Sequence, residues 1–213
     1  MSERVNRPYR APQRTAAAAR TRQRIIQAAR DLFVHQGWNG TTVAEIARRA
    51  DVSVDTVYAS VGRKPAVVCA VVDDVLGEGR GPVPAAQRQY VIDVGAAQSA
   101  AEKIATYAMA LGRLMPKVAP LLLSLRDAAA ADAGCAQAWQ DIVERRARNM
   151  LLFAADLRET GDLREELTDQ DVADVVWATN SPEYYTLLSS RGWSSPQYVA
   201  HLSDLWQRLL LAG

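Results

Sequence analysis

The residues best able to do chemistry lie between Thr42 and Lys64: Thr42, Ser53, Val54, Asp55, Thr56, Tyr58 and Lys64. A hydroxyl, a phenol and an ammonium suit phosphate oxygens, while short side chains at the start of a helix can reach base edges. That chemistry is recognition of double-stranded DNA. The segment reads as two short helices around a tight turn, a helix-turn-helix whose second helix lies in a major groove.

Local signals build both helices. Thr42 caps the first, and Glu45 three residues later completes a capping box. Val43, Ile46, Ala47 and Ala50 then share one face at helical spacing. Asp51 and Val52 make the turn, Ser53 caps the second helix, and Val52 and Val57 form a hydrophobic staple. Gly62 suits a left-handed stop and Pro65 the first turn of the next helix. Val57 and Val61 face inward, leaving Val54, Asp55, Thr56, Tyr58, Ala59 and Ser60 outside.

A helical hairpin that touches no DNA would share this spacing, and charge separates the two readings. Residues 1–64 hold 12 Lys and Arg against 5 Asp and Glu, a net of +7. The other 149 residues hold 13 basic and 19 acidic side chains, a net of −6. A basic amino-terminal part is what phosphate binding requires, because each neutralised phosphate releases counterions.

Residues 20–36 supply a first helix, with Ile25, Ala29, Leu32, Phe33 and Gln36 in one stripe, Ile26 beside it, and Gly37 as its stop. Residues 20 to about 75 resemble the DNA-binding head of the TetR family of transcriptional regulators. The matching elements are the Arg-rich lead into Ile25-Ile26-x-Ala28-Ala29-x-x-Leu32-Phe33, then Gly37-Trp38-x-x-Thr41-Thr42-Val43-x-x-Ile46-Ala47. They continue through Ala50-x-Val52-Ser53-x-x-Thr56-Val57-Tyr58 and Gly62-x-Lys64. The resemblance implies an all-α protein with a three-helix head and a larger helical domain for ligand binding and dimerisation. It assigns Thr42, Tyr58 and Lys64 to phosphates and Val54, Asp55 and Thr56 to the base-facing start of the recognition helix, with Ser53 as its cap and Arg20 and Arg22 in the basic lead. Ala59, Ser60 and Val61 stand where the family has an aromatic or His run and then Phe. Asp55 adds a carboxylate that suits a cytosine amino group and otherwise repels phosphate.

Residues 1–19 read as a disordered basic arm, either a tether to DNA or a solubilising tail. They lack the apolar core of a signal peptide, and no segment reads as a membrane span, so a cytoplasmic protein with no membrane partner is expected. Cys69 and Cys135 stand in no disulfide or zinc pattern.

The domains expected are this arm, residues 20–64 as the DNA-binding head, and residues 65–213 as the effector-binding and dimerisation domain, joined by a helix over 65–76. A loop follows at 77–84, then helices near 98–114, 117–132, 135–160, 169–190 and 196–211, with a kink or restart at Ser181-Pro182, a Ser195 cap with Pro196 at N1, and no internal repeat. Val172, Val175, Val176, Leu187, Leu188, Leu202, Leu205, Leu209 and Leu210 exceed one face of a surface helix. By the family's pattern the final two helices pair with those of a second copy, so Val172, Val176, Leu187, Leu188, Leu202, Leu205 and Leu209 form the expected dimer interface, internal core being the competing reading.

Tyr107, Met115, Leu122, Trp139, Met150, Phe153, Trp177 and Tyr185, with Met109 and Leu111, are candidates to line an apolar effector cavity, though each also reads as ordinary core. Arg126, with Asp127 beside it, is the candidate polar group inside it. Glu144, Arg145, Arg146 and Arg148 read as an exposed helix face with i,i+4 pairs, and less well as an anion site. No cofactor or metal motif is present; His35 and His201 lack evident partners, and neither a Gly-rich phosphate loop nor GxSxG occurs. The function expected is a homodimeric repressor released from a pseudo-palindromic operator by a small-molecule effector. The alternatives are a helical protein–protein adaptor with a degenerate head, drawing on Ala59 to Val61, and an all-α enzyme.

Overall fold

A computed structural model describes residues 11–80 and 83–212. Ten α-helices and one short 3-10 turn account for the regular structure among them, and the backbone pairing outside helices is an isolated bridge between Leu163 and Leu211. The all-α expectation is met. The chain divides into two compact units between Val67 and Val68, a point that falls inside a helix.

In the first unit, α1 (Ala11–Gly40), α2 (Val43–Arg49) and α3 (Val54–Ser60) pack mutually. Ile25, Ile26, Ala29, Leu32 and Phe33 of α1 meet Ile46, Ala47 and Val57 in a closed core, each at most 6% exposed. Gln36 is exposed instead, because Gly37 at φ 68° turns the chain just beyond it. α1 starts earlier than expected: Ala11 to Ala19 are helical, not an arm, as the run Ala16–Ala19 has the highest intrinsic helix propensity. The rest of the expected arm, residues 1–10, lies outside the described residues.

α4 (Lys64–Leu76) carries the chain from the first unit into the second. A 3-10 turn over Ala85–Gln87 and α5 (Gln89–Ala96) then fill a stretch for which the sequence predicts no helix. α6 (Ala100–Ala128) is the axis of the second unit, packed by α5, α7 (Ala133–Arg158), α9 (Pro182–Ser190) and α10 (Ser195–Leu210). It runs unbroken through Pro116 and Pro120, where the two prolines predict a division. Both prolines are exposed, while Leu111, Leu114, Met115, Val118, Leu121, Leu122 and Leu125 bury one continuous face, and that burial overrides the local rule. By length and composition α6 could cross a membrane, but most of its apolar stretch is covered by neighbouring helices.

α8 (Asp169–Thr179) lies along α7. Asn180 ends it, and Ser181, accepting from Tyr184 N at 3.1 Å, restarts the chain as α9 with Pro182 in its first turn. The cap of α10 is Ser194, one residue before the position expected, in a capping box with Gln197.

Candidate DNA-binding face and ligand cavity

The head presents its helix-turn-helix as the spacing predicts. Thr42 Oγ1 accepts from Glu45 N at 3.1 Å while Glu45 Oε2 accepts from Thr42 N at 3.1 Å. Ser53 Oγ accepts from Thr56 N at 3.1 Å and lies 2.8 Å from Thr56 Oγ1. Asp51 makes the turn in the left-handed region at φ 53°, and Gly62 ends the unit at φ 120°. On α3 Val57 is sealed inward, while Val54, Asp55, Tyr58 and Ala59 are exposed together and Thr56 is half-buried beside them.

Two of the basic residues assigned to DNA have structural partners in the head. Arg22 Nη1 donates to Ser60 O at 2.5 Å, placing a cation at the carboxy-terminal end of α3, where the helix dipole favours it. Lys64 Nζ donates to Trp38 O at 2.5 Å and lies 4.2 Å from the Trp38 ring centre. Trp38 in turn stacks on Phe33 of the head core at 6.2 Å. Arg20 is exposed on α1, and Arg48 and Arg63 are exposed at the ends of α2 and α3.

The second unit contains a cavity of about 370 Å³. Its walls come from α4 (Val72, Leu76), the α5 region (Arg88, Tyr90, Val94), α6 (Tyr107, Leu111, Leu114, Met115, Val118, Leu122) and α7 (Ile142, Arg145, Arg146, Asn149, Met150, Phe153), with Asn180 behind α8. Six expected residues are therefore in the wall: Tyr107, Leu111, Met115, Leu122, Met150 and Phe153.

Four are not. Arg126 pairs with Asp127 at 2.8 Å and with Glu183 of α9 at 2.9 Å, near the surface. Trp139 stands a turn before the wall. Trp177 is a support, its ring 5.4 Å from the guanidinium of Arg146 and its carbonyl accepting from Arg146 Nη2 at 3.0 Å. Tyr185 packs edge-on against Tyr198 at 5.1 Å. Met109, a further candidate, is exposed.

The polar lining is what the sequence hid. Arg145 and Arg146 face the cavity; of the expected surface cluster, Glu144 and Arg148 alone form an i,i+4 pair, at 3.8 Å. Arg146 Nη2 also donates to Asn180 Oδ1 at 2.6 Å, and Asn180 Nδ2 donates to Tyr107 Oη at 2.9 Å. Burial lowers the pKa of Arg146, and burial first, then Tyr90, raises that of Tyr107 far above its ordinary value, so Tyr107 remains a neutral phenol. One signal is present in the sequence: Ile142, Arg145, Arg146, Asn149, Met150, Phe153 and Asp156 follow helical spacing, with polar and apolar residues mixed on one face.

The expected dimer residues separate into two groups. Val172, Val176 and Leu202 are fully buried within one protomer, so they belong to its core and cannot face a partner. Leu187 is 67% and Leu209 46% exposed, with Leu188 and Leu205 half-buried beside them.

Residues 25–64 match the model of a family described as bacterial regulatory proteins, tetR family. Over 185 residues the chain is 29% identical to an uncharacterized HTH-type transcriptional regulator, YdeS, of Bacillus subtilis, covering 85% of each chain. Among solved structures it resembles the fatty acid degradation regulator FadR from Bacillus halodurans, with a TM-score of 0.68 and 16% identity over 87% of this chain and 94% of that one. It also resembles the regulator FadR from Bacillus subtilis in complex with stearoyl-CoA, with a TM-score of 0.66 and 16% identity over 86% and 96%. At such identity these likenesses speak for the fold.

Proposed function

We propose that this protein, which belongs to the TetR family of transcriptional regulators through its amino-terminal head, is a homodimeric repressor that a small molecule releases from a pseudo-palindromic operator. In this reading residues 20–64 bind DNA, residues 65–213 bind effector and partner, and the protein works in the cytoplasm, where its DNA lies. The observation that carries it is the double role of α4. Its first residue, Lys64, is fixed to Trp38 of the head, and its later turns supply Val72 and Leu76 to the cavity wall. A ligand that displaces that wall displaces the helix holding the head.

On DNA, Tyr58, Thr42 and Arg20 contact phosphates, and Val54, Asp55 and Thr56 face base edges. Ser53 caps the recognition helix, and Arg22 and Lys64 hold the head in shape. Two heads then enter successive major grooves about 34–36 Å apart. Only one spacing fits, so a ligand that favours another draws the population away from DNA. The partner contact uses Leu187, Leu188, Leu205 and Leu209. A ligand-bound example of this fold, the Bacillus subtilis FadR, holds stearoyl-CoA, and a small-molecule effector for this chain is in keeping with it.

The test is a titration of the purified protein against duplex from its own promoter and against random duplex, at about 50 and about 200 mM salt. The expected result is tighter binding to the promoter and a logarithmic fall in affinity with salt on both. Equal affinity for the two duplexes, or no salt dependence, would overturn the reading.

A further inference from the structure

We infer that the effector is an apolar molecule ending in a single carboxylate, and that Arg146 receives that carboxylate; the inference rests on the reading of the cavity as the effector site.

Arg146 is a cation without an anion. Its Nη2 donates to two neutral acceptors, Trp177 O at 3.0 Å and Asn180 Oδ1 at 2.6 Å. Its neighbours on α7 each hold a carboxylate, Arg145 that of Asp73 at 3.2 Å and Arg148 that of Glu144 at 3.8 Å. Among the described residues no carboxylate pairs with Arg146. Glu183 acts on it only through space and is itself held by Arg126 at 2.9 Å. A guanidinium drawn out of water needs a counter-charge, and a planar donor fork suits a carboxylate.

The rest of the wall agrees in sign. Arg88 Nη2 lies 3.5 Å from the same Asp73 that Arg145 uses, so two guanidiniums share one carboxylate. Arg88 Nε is buried with no partner. The carboxylate in the wall, Asp156, is taken by Lys103 Nζ at 2.9 and 3.0 Å. Of the charged residues that line the cavity, Arg88, Arg145 and Arg146 stand against Asp156 alone, a net charge of +2.

The remaining lining selects the body of the ligand. Leu111, Leu114, Met115, Val118 and Leu122 present a continuous apolar strip along α6. A volume of about 370 Å³ is at the small end for ligand sites and does not hold a nucleotide beside an apolar chain. Arg88 and Arg145 already have Asp73, whereas Arg146 lacks a contact carboxylate, which favours a monoanion over a phosphate dianion.

Calorimetry on the full chain with decanoate and decylamine below their micelle concentrations, and decanol below its solubility limit, tests this. Decanoate is expected to bind about tenfold or more tighter than decanol, with decylamine weakest, as a charge-assisted contact implies. Arg146→Gln should remove most of the preference for decanoate over decanol. Decanol or decylamine binding as tightly as decanoate, none of the three binding, or a preference that survives Arg146→Gln would each overturn the inference. The three-probe comparison needs no variant and so stands if Arg146→Gln does not fold. Decanoate should also release promoter DNA; binding without release overturns its role as effector. A protein that never binds promoter DNA overturns the regulator reading instead, and leaves the cavity chemistry to the calorimetry.

Discussion

The ammonium of Lys64 stands 4.2 Å from the centre of the Trp38 ring while donating to the Trp38 carbonyl at 2.5 Å. The pair ties the first residue of α4 to the end of α1. A cation over an indole contributes about 0.5–2 kcal/mol and a charged hydrogen bond about 1.5–3 kcal/mol, not additively. Lys64→Ala is therefore expected to destabilise the protein by about 1–3 kcal/mol in urea unfolding. The slope of log affinity against log salt separates this role from phosphate contact. It should stay as in the unaltered protein, whereas loss of a phosphate contact would lower it by about 0.9.

Tyr58 and Asp55 are exposed on the same helix but should fail in different ways. Tyr58→Phe removes one hydroxyl from a phosphate contact, so it should weaken promoter and random duplex alike, by about 1 kcal/mol or roughly fivefold. Asp55→Asn keeps the shape and removes a charge, so it should change the order of preference among operator variants. A binding assay over single-base variants checks both. An Asp55→Asn protein with unchanged preference would remove Asp55 from base readout.

What the sequence made legible was local. The Thr42–Glu45 box, the Ser53 cap, the Gly62 stop and the restart at Ser181-Pro182 each depend on residues within four positions, and each is present. The cavity was legible only where its lining is apolar, as at Tyr107, Met115, Leu122, Met150 and Phe153. Arg146 finds its acceptors 31 and 34 residues away, and Asn180 finds Tyr107 73 residues away, so no window on the sequence reports them. The same distance effect explains α6. Its prolines signal a break, but the partners that keep it whole lie on α7, α9 and α10.

At Gly112, α6 leaves no room for a side chain against α10. A Cβ placed there would stand 2.3 Å from Val199 Cγ2 of α10. Gly112→Ala would gain about 1 kcal/mol of helix propensity, and overpacking a tight contact costs about 1–3 kcal/mol, more where backbones must part. The clash is expected to win, with a fall in Tm of about 2–8 °C for a chain of this size. Thermal unfolding followed by circular dichroism measures it; a rise in Tm would mean that α10 yields freely.

The two groups of apolar residues on the last helices make opposite predictions. Leu187, 67% exposed, has little protein cover, whereas Leu202 is fully enclosed. Leu187→Asp should leave the fold intact, with a Tm within about 4 °C, and shift the mass in light scattering from dimer toward monomer. Affinity for a two-half-site operator should drop with it, while affinity for a single half-site stays. Leu202→Asp would bury an unpaired carboxylate and should cost about 3–5 kcal/mol, giving little folded protein. A Leu187→Asp protein that remains a full dimer at micromolar concentration would exclude this face from the partner contact.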